Sequence, residues 1–341
     1  MQMEARANIL STKRDKVLDM LKCVAMFMVI SGHCFQHTGY GNSYLNIPIF
    51  RVITMIQMPL FMFISGYVAH KSLTSSSLLA LAKRKYFGLL QPMMIFALVQ
   101  FVINYIIFAE ERISIGSIPH DVAVSIGYSY WFIWVLLYAI FFAWGVLRAL
   151  GVSGLVGSIV VVMLLPRELP LPHLTSFQAM YPFFVGGALA YRYDLLKWLR
   201  KHSWGALAAS IAILVACYMT YRGSHVFYFF KYMPARLYFT AYGHLLLGGF
   251  ASVVAMYIVT WRLAERCEKW SSTRLMADIG KYTLGIYLLQ GLFVEVAKRV
   301  DTTITCSAVQ WLIAVGVFTI CAAMVYGISR TKHLSKWLIG K

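Results

Sequence analysis

The sequence predicts an all-α integral membrane protein, a bundle of about ten transmembrane helices with both termini in the cytoplasm. Apolar residues make up 60% of the 341 residues, charged residues only 13%, and the mean hydropathy is +0.68. Water-soluble domains are typically about 45–50% apolar and about 25% charged. In addition, the apolar residues form ten separate runs, and basic residues collect between alternate runs. These three observations define the fold class.

The apolar runs have the length of membrane spans, which need about 20 helical residues. The exception is 154–166, which is short. We expect residues 1–341 to form a single membrane domain, with a cytoplasmic segment at 1–16 and a cytoplasmic tail at 329–341, because no loop is long enough for a soluble domain. In chain order the runs cover 17–36, 47–70, 86–108, 130–150, 154–166, 176–193, 204–221, 237–261, 279–297 and 307–328.

The first run follows a polar, basic segment, as it does in a signal peptide. It contains Asp19 and Lys22, however, and no small-residue cleavage site follows it. We therefore interpret it as a retained first helix.

The distribution of lysine and arginine supports ten crossings, because cytoplasmic loops of membrane proteins carry an excess of both residues. Placing both termini in the cytoplasm puts most of the 31 basic residues on that side. A re-entrant run 154–166 would invert the topology after it, and the persistence of the asymmetry beyond this run indicates that it crosses the membrane. The loop near 109–129 is mainly acidic and fits an external position. The internal clusters are Lys71 with Lys83 to Lys85, Arg192 to Lys201, Arg262 to Lys281, and Arg330 to Lys341.

The formal net charge of +18 does not indicate nucleic-acid binding, because the basic residues lie between apolar runs instead of on a soluble face. We expect membrane lipids around the bundle and no nucleic-acid partner. The six cysteines form no CxxC pair and no metal-ligand spacing, so we expect no metal. Most of them lie in apolar runs, where a free cysteine behaves as a small hydrophobe.

Ionisable residues are concentrated in the first run, where each costs about 2.5–3.5 kcal/mol on insertion scales. Lys22 and His33 are 11 residues apart. At about 100° per residue, this spacing returns to within roughly 20° of the same helix face. Asp15 and Asp19 lie on the same side of the helix. Such a polar stripe must face protein or a water-filled cavity instead of lipid.

Spacing alone leaves two interpretations of this stripe open. In the first, burial keeps His33 neutral, so that its imidazole serves as a general base toward a hydroxyl. Lys22, paired with Asp19 three residues earlier, then holds an anionic group or orients a neighbour. In the second, Asp19 and Lys22 only neutralise each other, and His33 hydrogen-bonds another helix.

The residues of the stripe resemble a family signature. The stretch LDMLKCVAMFMVISGH, in which Lys22 and His33 enclose ten residues, is similar to the basic-x10-His signature of the type 3 acyltransferases. Members of this family are multi-span membrane enzymes that acylate extracytoplasmic sugars. Two positions depart from the family pattern, since Gln290 replaces a common histidine and Gly88 replaces a common basic residue. Further stretches that match in order are FMFISGY ending at Tyr67, KRKYFGLLQP ending at Pro92, WFIWVLL from Trp131, YPFFVGG around Phe184 and Gly186, and IGKYTLGIYLLQ around Gly280 and Tyr287.

The resemblance implies transfer of an acyl group from cytoplasmic acyl-CoA, usually acetyl-CoA, to a sugar hydroxyl of a cell-surface or lipid-linked polysaccharide. The branch it resembles is that of the fucose 4-O-acetylase-like enzymes of the cell inner membrane. His33, Lys22 and Asp19 are then the catalytic candidates. His33 either deprotonates the hydroxyl for direct attack on the thioester or carries the acyl group itself.

The sequence signals for residues that bind the donor and the acceptor are less specific. Lys83, Arg84 and Lys85 are candidates for the phosphates of CoA, with positive-inside anchoring as the alternative. The candidates for contacting the acceptor sugar are Trp131, Arg51 and Arg236. Interfacial anchoring is the alternative for Trp131.

A rival function from another class is a transporter or flippase for a lipid-linked saccharide, which also needs a polar stripe inside a helical bundle. Broken helices in two matching halves would favour a transporter. The sequence contains no such symmetry.

Overall fold

The computed structural model describes residues 15–38, 43–107, 118–128, 130–222, 227–297, 304 and 306–340. Regular structure in these residues is helical, without a strand. Besides α-helices, the regular structure contains a π-helical turn at Tyr86–Leu90 and short 3-10 helices at Ser43–Asn46 and Phe227–Tyr232. The α-helices are α1 Lys16–Thr38, α2 Pro48–Ser75, α3 Leu78–Lys85, α4 Gln91–Ile107, α5 Ile118–Tyr128, α6 Trp131–Leu164, α7 Leu174–Arg192, α8 Leu195–Lys201, α9 Ser203–Met219, α10 Ala235–Arg266, α11 Ser271–Gly280, α12 Thr283–Ala297, α13 Ser307–Ser329 and α14 Lys332–Leu338.

Six helical stretches of the described chain are long and apolar enough to cross a membrane. A seventh is obtained if α8 and α9, which meet at 99°, form one broken span. Each of the ten predicted runs coincides with helix to within a few residues. The predicted all-α, multi-pass membrane class is therefore confirmed, while the count of ten spans and the cytoplasmic position of both termini stay predictions. The six stretches are α1, α2, Leu78–Tyr105, α6, Arg236–Arg266 and α13.

Helix α6 reverses direction at Gly151, which has φ 67° and ψ −159°. The rings of Phe142 and Tyr181 lie 5.5 Å apart, and the Ser158 hydroxyl lies 2.8 Å from the Tyr181 hydroxyl. A straight helix would separate residues 142 and 158 by about 24 Å, too far for both to contact one tyrosine. The two arms of α6 are the fourth and fifth predicted runs. The short run 154–166 is thus a helical arm of its own, antiparallel to the preceding arm.

Helix α1 lies at the centre of the bundle, packed against α2, α10, α11, α12 and α13. Met20, Met26 and Ile30 are almost completely buried on it. At its start, the Asp15 carboxylate accepts a hydrogen bond from the Val17 N–H at 2.9 Å, as an N-cap residue does. Asp15 therefore caps α1 and stabilises its first turn. The central position gives the polar stripe a protein environment.

Helices α2 and α7 touch backbone to backbone through two glycines. A Cβ atom on Gly66 would collide with the Phe184 carbonyl group, and one on Gly187 would collide with that of Phe63. Glycine is the residue that allows such a close approach. Two stretches that carry the family resemblance, FMFISGY and YPFFVGG, therefore meet at a helix crossing.

The predicted external loop near 109–129 contains an unpredicted helix, α5. Asp121 lies in its first turn, where a carboxylate interacts favourably with the helix dipole. The other charged residues of this loop, Glu110 to Arg112, lie outside the described residues. So do residues 1–14, which contain most of the predicted cytoplasmic segment.

Candidate active site

The polar stripe of α1 begins with a buried ion pair. Lys22 Nζ lies 3.1 Å from Asp19 Oδ1, and the side chains are 21% and 3% exposed. The backbone of Asp19 packs closely against Gly280 at the end of α11. A Cβ atom on Gly280 would collide with the Asp19 carbonyl. The structure thus brings together two of the three predicted catalytic residues and fixes Asp19 on both its side chain and its backbone.

His33, the third of these residues, lies in the last third of α1 and is half-buried. Its ring stacks on His37, with the ring centroids 5.8 Å apart and an interplanar angle of 15°. The preceding Gly32 faces Gln57 of α2, whose Oε1 would lie 3.0 Å from a Cβ atom at position 32. Gln57 is buried, and its Oε1 has no hydrogen-bond partner among the described residues. Gln57 was not predicted as a site residue, although a glutamine within an apolar run is a sequence signal for a functional polar group.

A cavity of about 590 Å³ opens beside the Lys22 end of the stripe. We call it the basic cavity, because Lys22, Lys71, Arg84 and Lys85 line it and none of the described lining residues is acidic. Lys83 is exposed and does not line it. Two of the three predicted phosphate-binding residues therefore reach the cavity, and Lys71 joins them. Serine hydroxyls complete the polar lining, from Ser65, Ser72 and Ser75.

A second cavity of about 130 Å³, the apolar cavity, continues from the first along α1. Lys22, Ser65 and Leu136 are among the residues that line both cavities, so the two adjoin. Apart from Lys22, Ser65 and Thr283, the lining is apolar or aromatic. Val29 lines the far part, and it precedes His33 by one helical turn, about 6 Å, on the same face of α1. The apolar cavity therefore extends from the ion pair along α1 to within one turn of His33, while His33 itself lines neither cavity.

The three predicted acceptor-binding residues line neither cavity. Arg51 donates to the Leu45 carbonyl at 3.4 Å, and its guanidinium group lies over the Tyr221 ring at 5.5 Å. Arg236 is exposed in the first turn of α10. Trp131 is half-buried at the start of α6, and its ring packs edge-on against the Phe132 ring at 6.1 Å.

Both departures from the family pattern have a place in the structure. Gln290 is 3% exposed, and its Oε1 has no hydrogen-bond partner among the described residues. Gly88 lies in the π-helical turn next to the basic cluster, and a Cβ atom there would meet nothing within 4 Å. The backbone of Gly88 contacts Gly340, which has φ 66°. The end of the chain thus packs against the segment that follows Lys85.

Comparison with known proteins identifies two curated relatives, each called nodulation protein NolL. The protein from Sinorhizobium fredii is 24% identical over 97% of this chain and 93% of its own length. The protein from Mesorhizobium japonicum is 26% identical over 82% of this chain and 77% of its own length. No solved structure matches the chain. The model of the acyltransferase-3 family, described as an acyltransferase domain, matches residues 15–328. The chain therefore belongs to this family, as its first-helix signature predicted, and is a membrane acyltransferase.

Proposed function

We propose that the protein is an O-acyltransferase that moves an acetyl group from cytoplasmic acetyl-CoA to a hydroxyl of a cell-surface or lipid-linked saccharide. The observation that carries this proposal is the pair of adjoining cavities, one basic and one apolar, that lead along α1 toward His33. An acyl-CoA has the same order of chemistry, with a phosphorylated nucleotide at one end and a neutral acyl thioester at the other.

The basic cavity suits the nucleotide of the donor. Four basic side chains line about 590 Å³, one of them, Lys22, already paired with Asp19, and no acidic residue is among the described residues of the lining. This excess of positive charge favours a multiply charged anion. Each hydrogen bond to a charged partner contributes about 1.5–3 kcal/mol. Arg84 is positioned for this role, because its Nη2 donates to the Ser76 hydroxyl at 2.6 Å.

Lys22 and His33 serve different parts of the reaction, because 11 residues of helix separate them by about 16 Å. Lys22, where the cavities meet, contacts the donor. His33 acts at the reacting atoms. In the direct route, the His33 imidazole takes the proton of the sugar hydroxyl while the new O–C bond forms and the thioester C–S bond breaks. The CoA thiolate leaves with a proton from the imidazolium, so His33 is regenerated.

In the relay route, the His33 imidazole attacks the thioester, releases CoA as the thiol and holds the acyl group on nitrogen. The sugar hydroxyl then attacks the acyl carbon, the N–C bond to the imidazole breaks, and the hydroxyl proton passes to the imidazole, which regenerates His33. Both routes require His33 and consume the same two substrates.

The sidedness of the proposal rests on charge. The basic cavity lies at the end of α1 that carries Lys16, and the loops at this end contain the clusters expected in the cytoplasm. His33 lies toward the opposite end, from which a saccharide acceptor reaches it. The proposal therefore has donor and acceptor enter from opposite faces, and it requires the inner membrane, whose cytoplasmic face is in contact with acetyl-CoA.

The test compares envelope glycans by mass spectrometry from cells that lack the gene and are complemented with wild type or His33→Ala. His333→Ala, an exposed histidine on α14, is the matched control. We expect an acetyl mass increment with wild type and the control, and none with His33→Ala at equal membrane expression.

Two outcomes would contradict this proposal in different ways. An increment that returns equally with His33→Ala removes the catalytic role of His33. Accumulation of unmodified lipid-linked saccharide in cells without the gene, with no change in acetylation, would support a flippase instead.

A further inference from the structure

We infer that three aromatic rings, those of Phe61, Phe132 and Tyr287, set the maximum length of the acyl group that the enzyme accepts. The inference rests on the proposed donor site, because it assigns the acyl thioester to the apolar cavity. It names the substrate class as short acyl-CoAs, with acyl chains of about two to four carbons.

The three rings come from three different helices and meet at the apolar cavity. Phe61 of α2 and Phe132 of α6 have ring centroids 5.8 Å apart, and Phe132 and Tyr287 of α12 have centroids 5.9 Å apart. All three residues line the apolar cavity, and none lines the basic cavity. Phe132 contacts both other rings and is therefore the centre of the group.

The position of the rings along the path follows from the residues around them. On α6, Ile140 lines only the basic cavity, Leu136 lines both, and Phe132 lines only the apolar cavity. On α2 the order is the same: Ala69 lines only the basic cavity, and Phe61 lines only the apolar cavity. The rings therefore line the part of the apolar cavity that lies away from the nucleotide end, a part to which Met58 and Val29 also belong. An acyl chain that enters from the basic cavity passes Lys22 and Ser65, where the cavities adjoin, before it meets the rings.

The volume that remains is small. An apolar cavity of about 150 Å³ holds one benzene molecule, which has six heavy atoms. The apolar cavity here measures about 130 Å³. About six atoms suffice for the end of a pantetheine arm with its sulfur and an acetyl group. A hexanoyl or octanoyl chain would have to displace a ring, and close-packed interiors resist such a change.

The ring of Phe132 is the one whose removal should change selectivity most. Phe132→Ala deletes a benzene-sized group from the end of the cavity. Each additional methylene buried there would improve binding about fourfold. The variant should therefore accept hexanoyl-CoA better than wild type by tenfold or more.

The experiment measures competition of acetyl-, butyryl-, hexanoyl- and octanoyl-CoA with radiolabelled acetyl-CoA for the purified full-length protein in detergent. For wild type we expect hexanoyl-CoA to compete at least tenfold more weakly than acetyl-CoA. Phe132→Ala should abolish or reverse this order. Phe142→Ala is the matched control, because Phe142 lies on the same helix and lines neither cavity.

Phe61→Leu, a smaller change in the same group of rings, provides a second test if Phe132→Ala does not fold. It should shift the preference toward butyryl- and hexanoyl-CoA by severalfold. Wild-type binding that is equal for all chain lengths, or an unchanged order in both ring variants, would overturn the inference while leaving the donor site intact. Failure of wild type to bind CoA or any acyl-CoA would instead overturn the donor site and, with it, the chain-length limit.

Discussion

Replacing Asp19 with asparagine separates the two interpretations of the α1 stripe. The Asp19 carboxylate lies 3.1 Å from the Lys22 ammonium, and its side chain is 3% exposed. Asparagine keeps the shape and removes the charge. Lys22, at 21% exposure, would then hold an unpaired positive charge where the two cavities meet.

The expected loss of stability is large. Two unit charges at 3.1 Å attract each other by about 5 kcal/mol at an effective dielectric constant of about 20. Desolvation of both groups offsets much of this attraction, but removal of one partner leaves the cost of the other and typically destabilises by about 3–5 kcal/mol. For a chain of this size we expect the apparent Tm to fall by roughly 4–7 °C.

The assay is thermal unfolding of purified protein in detergent at one scan rate, for Asp19→Asn, Lys22→Met and the double variant. If the pair only neutralises itself, the double variant should recover most of the stability and still bind acetyl-CoA. If Lys22 also contacts the donor, as proposed, the double variant should recover stability and lose at least tenfold in affinity. An Asp19→Asn protein as stable as wild type would refute the reasoning, because the pair would then contribute nothing.

Two further predictions concern packing and donor binding. Gly187→Ala places a methyl group against the Phe63 carbonyl, so it should strongly reduce folded protein in the membrane. The same change at Gly145, where a Cβ atom meets nothing within 4 Å, should leave the amount within a few tens of per cent, as size-exclusion chromatography would measure. Arg84→Ala should weaken acetyl-CoA binding about tenfold or more in equilibrium dialysis. Lys83→Ala should not, because Arg84 lines the basic cavity and the neighbouring Lys83 does not. Equal effects of the two changes would contradict this placement of the phosphates.

Much of the fold could be predicted from the sequence because lipid solvation acts locally along each helix. A run of apolar residues is itself the reason that a segment enters the bilayer, and each of the ten runs coincides with helix. Helix α5 escaped prediction because it is short, with Asp121 in its first turn, and adjoins charged residues. The reversal at Gly151 follows from one positive φ angle. A glycine permits this angle, but its presence in the sequence does not show that the chain adopts it.

The site was predicted in part, for a reason that lies in tertiary structure. Lys22 and His33 share one helix, so periodicity was sufficient to align them. The cavities are built from α1, α2, α3, α6, α12 and the π-helical turn together, and no local sequence pattern indicates which of their residues will meet. The choice of Trp131 for the acceptor illustrates this limit. Its neighbour Phe132 points about 100° away around α6 and is the residue that lines the apolar cavity.

The distance between Lys22 and His33 bears on how an acyl group crosses the membrane. About 16 Å of helix separates them, which is about half of a hydrocarbon core of roughly 30 Å. In the proposed function, a nucleotide held by Lys71, Arg84 and Lys85 stays at the cytoplasmic surface, where its charge is solvated. Only the neutral pantetheine arm and acyl group then have to enter the apolar cavity. A charged nucleotide inside that cavity would carry a desolvation cost that Lys22 alone could not offset. Under the proposed function, the arrangement therefore favours transfer near the middle of the membrane over transport of the whole donor across it.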